Sequence, residues 1–172
     1  MVSKKIKKII IVLSFILSSV TIFFGVRFVT QQQEQAKKTG ASGNVSLYFE
    51  PNEITADLNT AISPILMVNP YTDSVTAVEL YLNFDSSKIS IENIVNSSSF
   101  PTILKSLSID NNSGQASITL GVTPNNQITS ITEVISLSLR TNGVYGDVTI
   151  AVAQNSRVAA LNNDTNVLSN YG

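Results

Sequence analysis

The chain of 172 residues contains no cysteine, no histidine and no tryptophan. Without cysteine there is no disulfide and no thiol chemistry, so a folded domain must depend on its hydrophobic core. The absence of cysteine and histidine also removes the commonest nucleophile, the commonest general base and the preferred zinc ligands. No motif ties two carboxylates together for glycoside hydrolysis. The sequence therefore predicts a protein that is not an enzyme and has no catalytic residues.

Positive charge is scarce beyond the N-terminal segment. From residue 44 onward, four basic residues stand against eleven acidic ones, which gives this part of the chain a net charge of −7. Nucleic-acid binding requires clustered lysine and arginine, so the sequence predicts no nucleic-acid partner. The acidic composition, rich in asparagine, serine and threonine, is typical of a domain at the cell surface.

The N-terminal segment differs in composition from the rest of the chain. Four lysines between residues 4 and 8 precede an uncharged run, Ile9–Val26, that is 18 residues long. As a helix this run would extend roughly 27 Å, enough to cross a bilayer. A cleaved signal peptide is the alternative, although such apolar segments are about 7–15 residues long and end at a small-residue site.

The lysines set the predicted orientation, because positive charge remains on the cytoplasmic side. We expect a cytoplasmic N-terminus and a single-pass transmembrane anchor over 1–29. A polar stalk over 30–43 then leads to an extracellular domain over 44–172. The predicted location is the cell membrane.

Short apolar runs with a period of two recur through the exported domain. The clearest run covers 74–84, and a polar turn over 85–88 separates it from a second run over 89–95. Alternation of this kind gives a strand one apolar face. About nine such strands, spaced by turn signals and without a helical period, predict an all-β, jelly-roll-like sandwich of two sheets.

The step Phe84-Asp85 at the end of a long strand, followed by Ile89-x-Ile91, resembles the aromatic-Asp and Leu-x-Ile signature of cohesin domains and their carbohydrate-binding relatives. The resemblance covers 45–168. It implies a non-catalytic recognition module whose partner is a dockerin-like protein or a polysaccharide. The sequence departs from the cohesin pattern at Asn59-Thr60, where a glycine is usual, and it contains no dockerin-like Asp-x-Asn repeat.

In cohesins the partner lies across a sheet face that includes the long strand. By phase, the outward side chains of this strand and of its expected neighbour form our predicted partner-binding residues: Ala77, Glu79, Tyr81, Asn83, Ser117 and Thr119. Tyrosine, asparagine, glutamate and small hydroxyls suit a flat, hydrogen-bonding interface with Tyr81 as its aromatic anchor. The alternative is an ordinary solvated face.

No cofactor is predicted, and calcium is the one ion that merits consideration. Turns at 110–112 and 162–164 offer oxygen ligands, but neither has the spaced acidic pattern of a dedicated calcium loop. Simple Asx turns explain both better, so no metal-binding residues are predicted. The absence of tryptophan argues against crystalline polysaccharide as the ligand, because flat sugar surfaces stack on exposed aromatic rings.

A second class of function is a structural surface protein. In a pilin-like subunit the N-terminal helix would pack into a filament and the β-domain would have no dedicated ligand. Type IV pilins need a glycine before the apolar helix and a glutamate just inside it, and neither is present at the start of this run. A membrane-anchored recognition module is therefore the leading hypothesis.

Overall fold

The computed structural model describes residues 43–161, 163 and 165–171. The segment predicted as an anchor, 1–29, and nearly all of the predicted stalk, 30–43, lie outside these residues. No helix long and apolar enough to cross a membrane occurs in the described part of the chain.

The described residues form an all-β structure. Its eleven strands are β1 (Val45–Glu50), β2 (Ala61–Ile62), β3 (Ile65–Asn69), β4 (Val75–Phe84), β5 (Ile89–Asn96), β6 (Thr102–Asp110), β7 (Gln115–Gly121), β8 (Thr132–Thr141), β9 (Ile150–Val152), β10 (Arg157–Ala160) and β11 (Leu168–Asn170). They are arranged in two sheets. The prediction of an all-β sandwich of two sheets is confirmed.

The first sheet contains β11, β1, β3 and β8 in that order, with β5 on the far side of β8. The short strand β2 also pairs with β8. Ile62 faces Leu139 and Ile65 faces Ser136, so β2 and β3 lie in one register along the same edge of β8. Proline cannot donate a ladder hydrogen bond, which explains the break at Pro64, whose carbonyl accepts from Leu137 N–H at 2.9 Å.

The second sheet has the order β6, β7, β4, and two strands share the remaining edge of β4. β9 pairs with the last residues of β4, 82–84, whereas β10 pairs with its first half, 75–79. The sheets contain eleven strands rather than about nine because two edges are each paired by two short strands. β2 and β3 share one edge of β8, and β9 and β10 share one edge of β4.

The core lies between the two sheets and follows the predicted alternation. On β4, Val78, Leu80 and Leu82 are at most 1% exposed, whereas Asn83 is exposed. Phe100, in the connection before β6, is completely buried as well. Fully burying a large apolar side chain stabilises the fold by about 1.5–3 kcal/mol. The buried residues of β4 therefore determine which face of the second sheet packs in the core and which faces solvent.

Candidate partner-binding face

The outer face of the second sheet presents its side chains in rows that run across the strands. We name four rows by their chemistry. The small-residue row is Gly121, Ala77 and Ala159; the charged row is Lys105, Thr119, Glu79 and Arg157; the hydroxyl row is Ser108, Ser117 and Tyr81; the amide row is Asp110, Gln115, Asn83 and Ala151. In each row, neighbouring residues are paired across adjacent strands, about 4.8 Å apart.

The six residues predicted from the sequence all lie on this face. They occupy all four rows: Ala77 in the small-residue row, Glu79 and Thr119 in the charged row, Tyr81 and Ser117 in the hydroxyl row, and Asn83 in the amide row. Their participation in binding stays a prediction. The structure also shows how these residues are arranged on the face. The hydroxyl row lies between the charged row and the amide row.

Tyr81 is fixed near the centre of the face through both its side chain and its backbone. Its hydroxyl donates to Glu79 Oε1 at 2.9 Å, and Lys105 Nζ lies 5.7 Å from the centroid of its ring. Its backbone N–H donates to Ser156 Oγ at 3.0 Å, and the Ser156 hydroxyl donates back to its carbonyl at 3.2 Å. Ser156 is completely buried, and its side chain bonds to β4 where pairing passes from β9 to β10.

A depression of about 420 Å³ lies beside Tyr81, over the hydroxyl and amide rows. The residues that line it are Tyr81, Leu82, Asn83, Ser108, Asp110, Gln115, Ala116, Ser117, Ala153 and Asn155. Only Tyr81, Asn83 and Ser117 among these were predicted. Gln115 has the same strand phase as Ser117, so alternation alone could have identified it.

The remaining lining residues were missed for physical reasons. β6 contains two irregularities, between Ile103 and Lys105 and between Lys105 and Ser108. A bulge changes the phase of a strand, so alternation does not predict that both Lys105 and Ser108 face outward. Asn155 lies in the turn between β9 and β10, and nothing in the sequence relates that turn to β4.

The charged row carries cations whose charge is not paired within the described structure. The two ion pairs among the described residues are Lys88 with Asp85 and Arg140 with Glu92, both away from this row. Arg157 and Lys105 form no ion pair with a described residue. In a domain with a net charge of −7, this row is thus locally basic.

Asp110 ends the amide row and begins the turn between β6 and β7. Its carboxylate accepts from the Ser113 hydroxyl at 2.8 Å and from the backbone N–H groups of Asn112 and Ser113 at 2.9 and 3.2 Å. These hydrogen bonds, led by that of the Ser113 hydroxyl, hold the pKa of Asp110 below its usual value. The side chain is therefore ionised at neutral pH.

The turn at 110–112 is an Asx turn, as the sequence predicts. Within the described residues there is no group of three or more side chains of the types that ligate metals. At the second turn considered for calcium, 162–164, both Asn162 and Asp164 lie outside the described residues. Asn163 Oδ1 accepts from Thr165 N–H at 3.1 Å, which is again the pattern of an Asx turn.

Comparison with solved structures matches this chain to cohesin domains. A cohesin of Clostridium acetobutylicum, determined in solution, is 17% identical with a TM-score of 0.59, covering 76% of this chain and 88% of that one. The OlpC cohesin of Clostridium thermocellum, in a type I cohesin–dockerin complex, is 11% identical with a TM-score of 0.61 and coverages of 75% and 90%. A non-cellulosomal cohesin of the hyperthermophilic archaeon Archaeoglobus fulgidus is 12% identical with a TM-score of 0.55 and coverages of 73% and 83%.

No protein-family model and no curated protein matches the chain. The likeness therefore establishes the fold, which is that of cohesin domains. The matched region makes up 88% of the solution structure from C. acetobutylicum, and the described residues of this chain belong to one compact unit. The described residues have their own hydrophobic core, and a fragment of this size can bury enough apolar surface to fold without disulfides.

Proposed function

We propose that this protein is a non-catalytic recognition module that binds a dockerin-like protein through the outer face of the second sheet. The observation that carries the proposal is a set of polar side chains around Tyr81 that have no hydrogen-bond partner in the described part of the chain. The amides of Asn83, Gln115 and Asn155 form no hydrogen bond with any described residue. Polar groups in this state around a fixed aromatic ring are what a hydrogen-bonding interface requires.

The fold supports the same proposal. Several cohesins that share it were determined as complexes with dockerins, including those of C. acetobutylicum and C. thermocellum. In this chain the long strand β4 ends at Phe84, directly before Asp85, and the outer face of its sheet contains the six predicted residues.

Binding to purified type I dockerins tests the proposal. The 41–172 fragment would be immobilised and its affinity for each dockerin measured by biolayer interferometry, with Tyr81→Ala as the test variant. We expect at least one dockerin to bind, and the variant to lose about tenfold in affinity, which corresponds to about 1.4 kcal/mol. The matched control is Tyr71→Ala, an exposed tyrosine in the turn between β3 and β4.

A glycan is the second candidate ligand, and Tyr145 is the observation in its favour. This side chain is 82% exposed in the loop between β8 and β9, where a sugar ring could stack on it. If no dockerin binds and soluble glycans do, with binding lost in Tyr145→Ala, the site belongs to this loop and the protein-recognition proposal is wrong. A structural subunit without a ligand would bind neither.

We further propose that the module is held at the cell membrane by residues 1–29. The support is the length of the apolar run Ile9–Val26 and the lysines before it. Mass spectrometry of membrane fractions should then recover peptides from this segment attached to the mature protein. A mature N-terminus between residues 30 and 43, found in the culture medium, would identify a signal peptide instead.

A further inference from the structure

We propose that the depression beside Tyr81 receives an arginine side chain of the protein partner. The inference rests on the proposed function, because it names the chemistry of the group that binds at the same face. Its starting point is the composition of the depression, whose described lining residues include one acidic residue, Asp110, and no lysine or arginine. The two cations of the face that form no ion pair with a described residue, Lys105 and Arg157, belong to the charged row and do not line the depression, although Lys105 Nζ lies 5.7 Å from the centroid of the Tyr81 ring.

The polar groups of the depression have hydrogen-bonding capacity to spare. Besides the three amides named above, the hydroxyls of Ser108 and Ser117 form no hydrogen bond with a described residue. These acceptors come from three different strands and the β9–β10 turn, so they surround the depression rather than form one line. Arginine presents five N–H donors in a planar fork, which suits several dispersed acceptors better than the compact ammonium of lysine.

Electrostatics favours a cation at the amide-row end of the depression, because the hydroxyl row separates Asp110 from Lys105 in the charged row. The Asp110 carboxylate is ionised, and three hydrogen bonds fix its orientation in the turn. A carboxylate has about four acceptor positions, so it retains capacity for a further donor. The net charge of −7 over residues 44–172 adds a field that attracts a basic partner group.

A sugar ring fits the same depression less well. A pyranose that binds by stacking needs a free aromatic face, and Tyr81 is the aromatic residue that lines the depression. Lys105 Nζ already lies 5.7 Å from the centroid of this ring, and the hydroxyl is bonded to Glu79. The Tyr81 side chain already contacts two residues of the charged row, so its ring is not a free face for a sugar.

Nuclear magnetic resonance of the 41–172 fragment tests the proposal without a known partner. The probe is N-acetyl-arginine amide, and its control is N-acetyl-citrulline amide, which keeps the shape and loses the charge. We expect the arginine probe to shift the side-chain amide signals of Asn83, Gln115 and Asn155 with a Kd on the order of 1 mM. The citrulline probe should bind at least tenfold more weakly, and added salt should weaken the arginine effect.

Two variants separate the charge of Asp110 from its structural role. Asp110→Asn keeps an Oδ1 acceptor for the turn and removes the charge, so it should retain the fold and lose the arginine shifts. Asp57→Asn makes the same change of charge at an exposed position between β1 and β2, where the side chain has no hydrogen-bond partner among the described residues, and should bind normally.

Equal shifts with arginine and citrulline, or arginine shifts that persist in Asp110→Asn, would overturn the proposal. So would shifts of the same amides by cellobiose and none by arginine. If the proposed dockerin binding is wrong and the arginine site is right, the arginine probe would still shift the amide signals although no dockerin binds. A dockerin that binds a fragment insensitive to arginine would leave the function standing and refute the arginine site.

Discussion

The alternation of single residues along β4 decides which side of the second sheet is core and which is surface. Leu82 is 1% exposed between the sheets, and the next residue, Asn83, points to solvent in the amide row. A one-residue shift in register would exchange the two roles.

Leu82→Ala should therefore lower the free energy of unfolding by about 2–5 kcal/mol, since it removes buried methyl groups and leaves a cavity. Asn83→Ala should change it by less than about 0.5 kcal/mol. Urea denaturation of the 41–172 fragment measures both. A larger loss for Asn83→Ala would mean that the face assigned to binding is part of the core.

Asn166 shows how one polar side chain replaces ladder hydrogen bonds. Its Oδ1 accepts from the N–H groups of Val158 at 2.8 Å and Leu168 at 3.1 Å, and its Nδ2 donates to the Ser156 carbonyl at 3.4 Å. The side chain thus bonds to β10 of the second sheet and to β11 of the first. The sequence predicts a turn at 162–164, just before this residue, but gives no sign of these contacts.

Asn166→Ala should destabilise the domain by about 2–3 kcal/mol, because two partly buried N–H groups lose their acceptor. The matched control is Asn93→Ala, an exposed asparagine on β5 whose side chain has no hydrogen-bond partner among the described residues. It should be close to neutral. Thermal denaturation followed by circular dichroism compares the two, and equal melting temperatures would show that Asn166 has no such role.

At the scale of strands, period and turn chemistry predict most of the fold but not its irregularities. The phase of β4 and the turn before β7 follow directly from residue types. The bulges of β6 do not, and they bring Lys105 and Ser108 to the outer face although three positions separate them. The depression beside Tyr81 depends on this irregular strand, so alternation predicts the outward residues on its β4 and β7 sides but not those on its β6 side.

The hairpin between β6 and β7 depends on Gly114. This residue has a φ of +69°, and a Cβ atom would overlap the carbonyl oxygen of Phe84, whose N–H donates to the Gly114 carbonyl at 2.9 Å. L-residues adopt this conformation at a cost of about 1–2 kcal/mol, and the overlap adds to it.

Gly114→Ala should lower the free energy of unfolding by more than about 2 kcal/mol, through strain and displacement of the end of β4. Gly143→Ala provides the control, since an added Cβ there meets no atom within 4 Å. That substitution should change stability by about 0.5 kcal/mol or less. Chemical denaturation distinguishes the two, and a stable Gly114→Ala variant would contradict the described geometry of the hairpin.

For the whole molecule, the distribution of titratable groups predicts how stability depends on pH. The chain contains no histidine. The pKa values of Asp85 and Asp110 are lowered, chiefly by hydrogen bonds from the Ser87 and Ser113 hydroxyls respectively.

A carboxylate whose pKa is lower in the folded than in the unfolded protein contributes stability above its unfolded pKa, and loses that contribution as the pH falls through its folded pKa. The contribution of these two groups to the urea midpoint of the 41–172 fragment should therefore be constant above about pH 6, and should be lost as the pH falls below about pH 4. In Asp110→Asn the fall should be smaller, because one of the two groups no longer binds a proton on unfolding. An acid transition of equal size in wild type and variant would show that hydrogen bonds in the β6–β7 turn do not stabilise the folded domain.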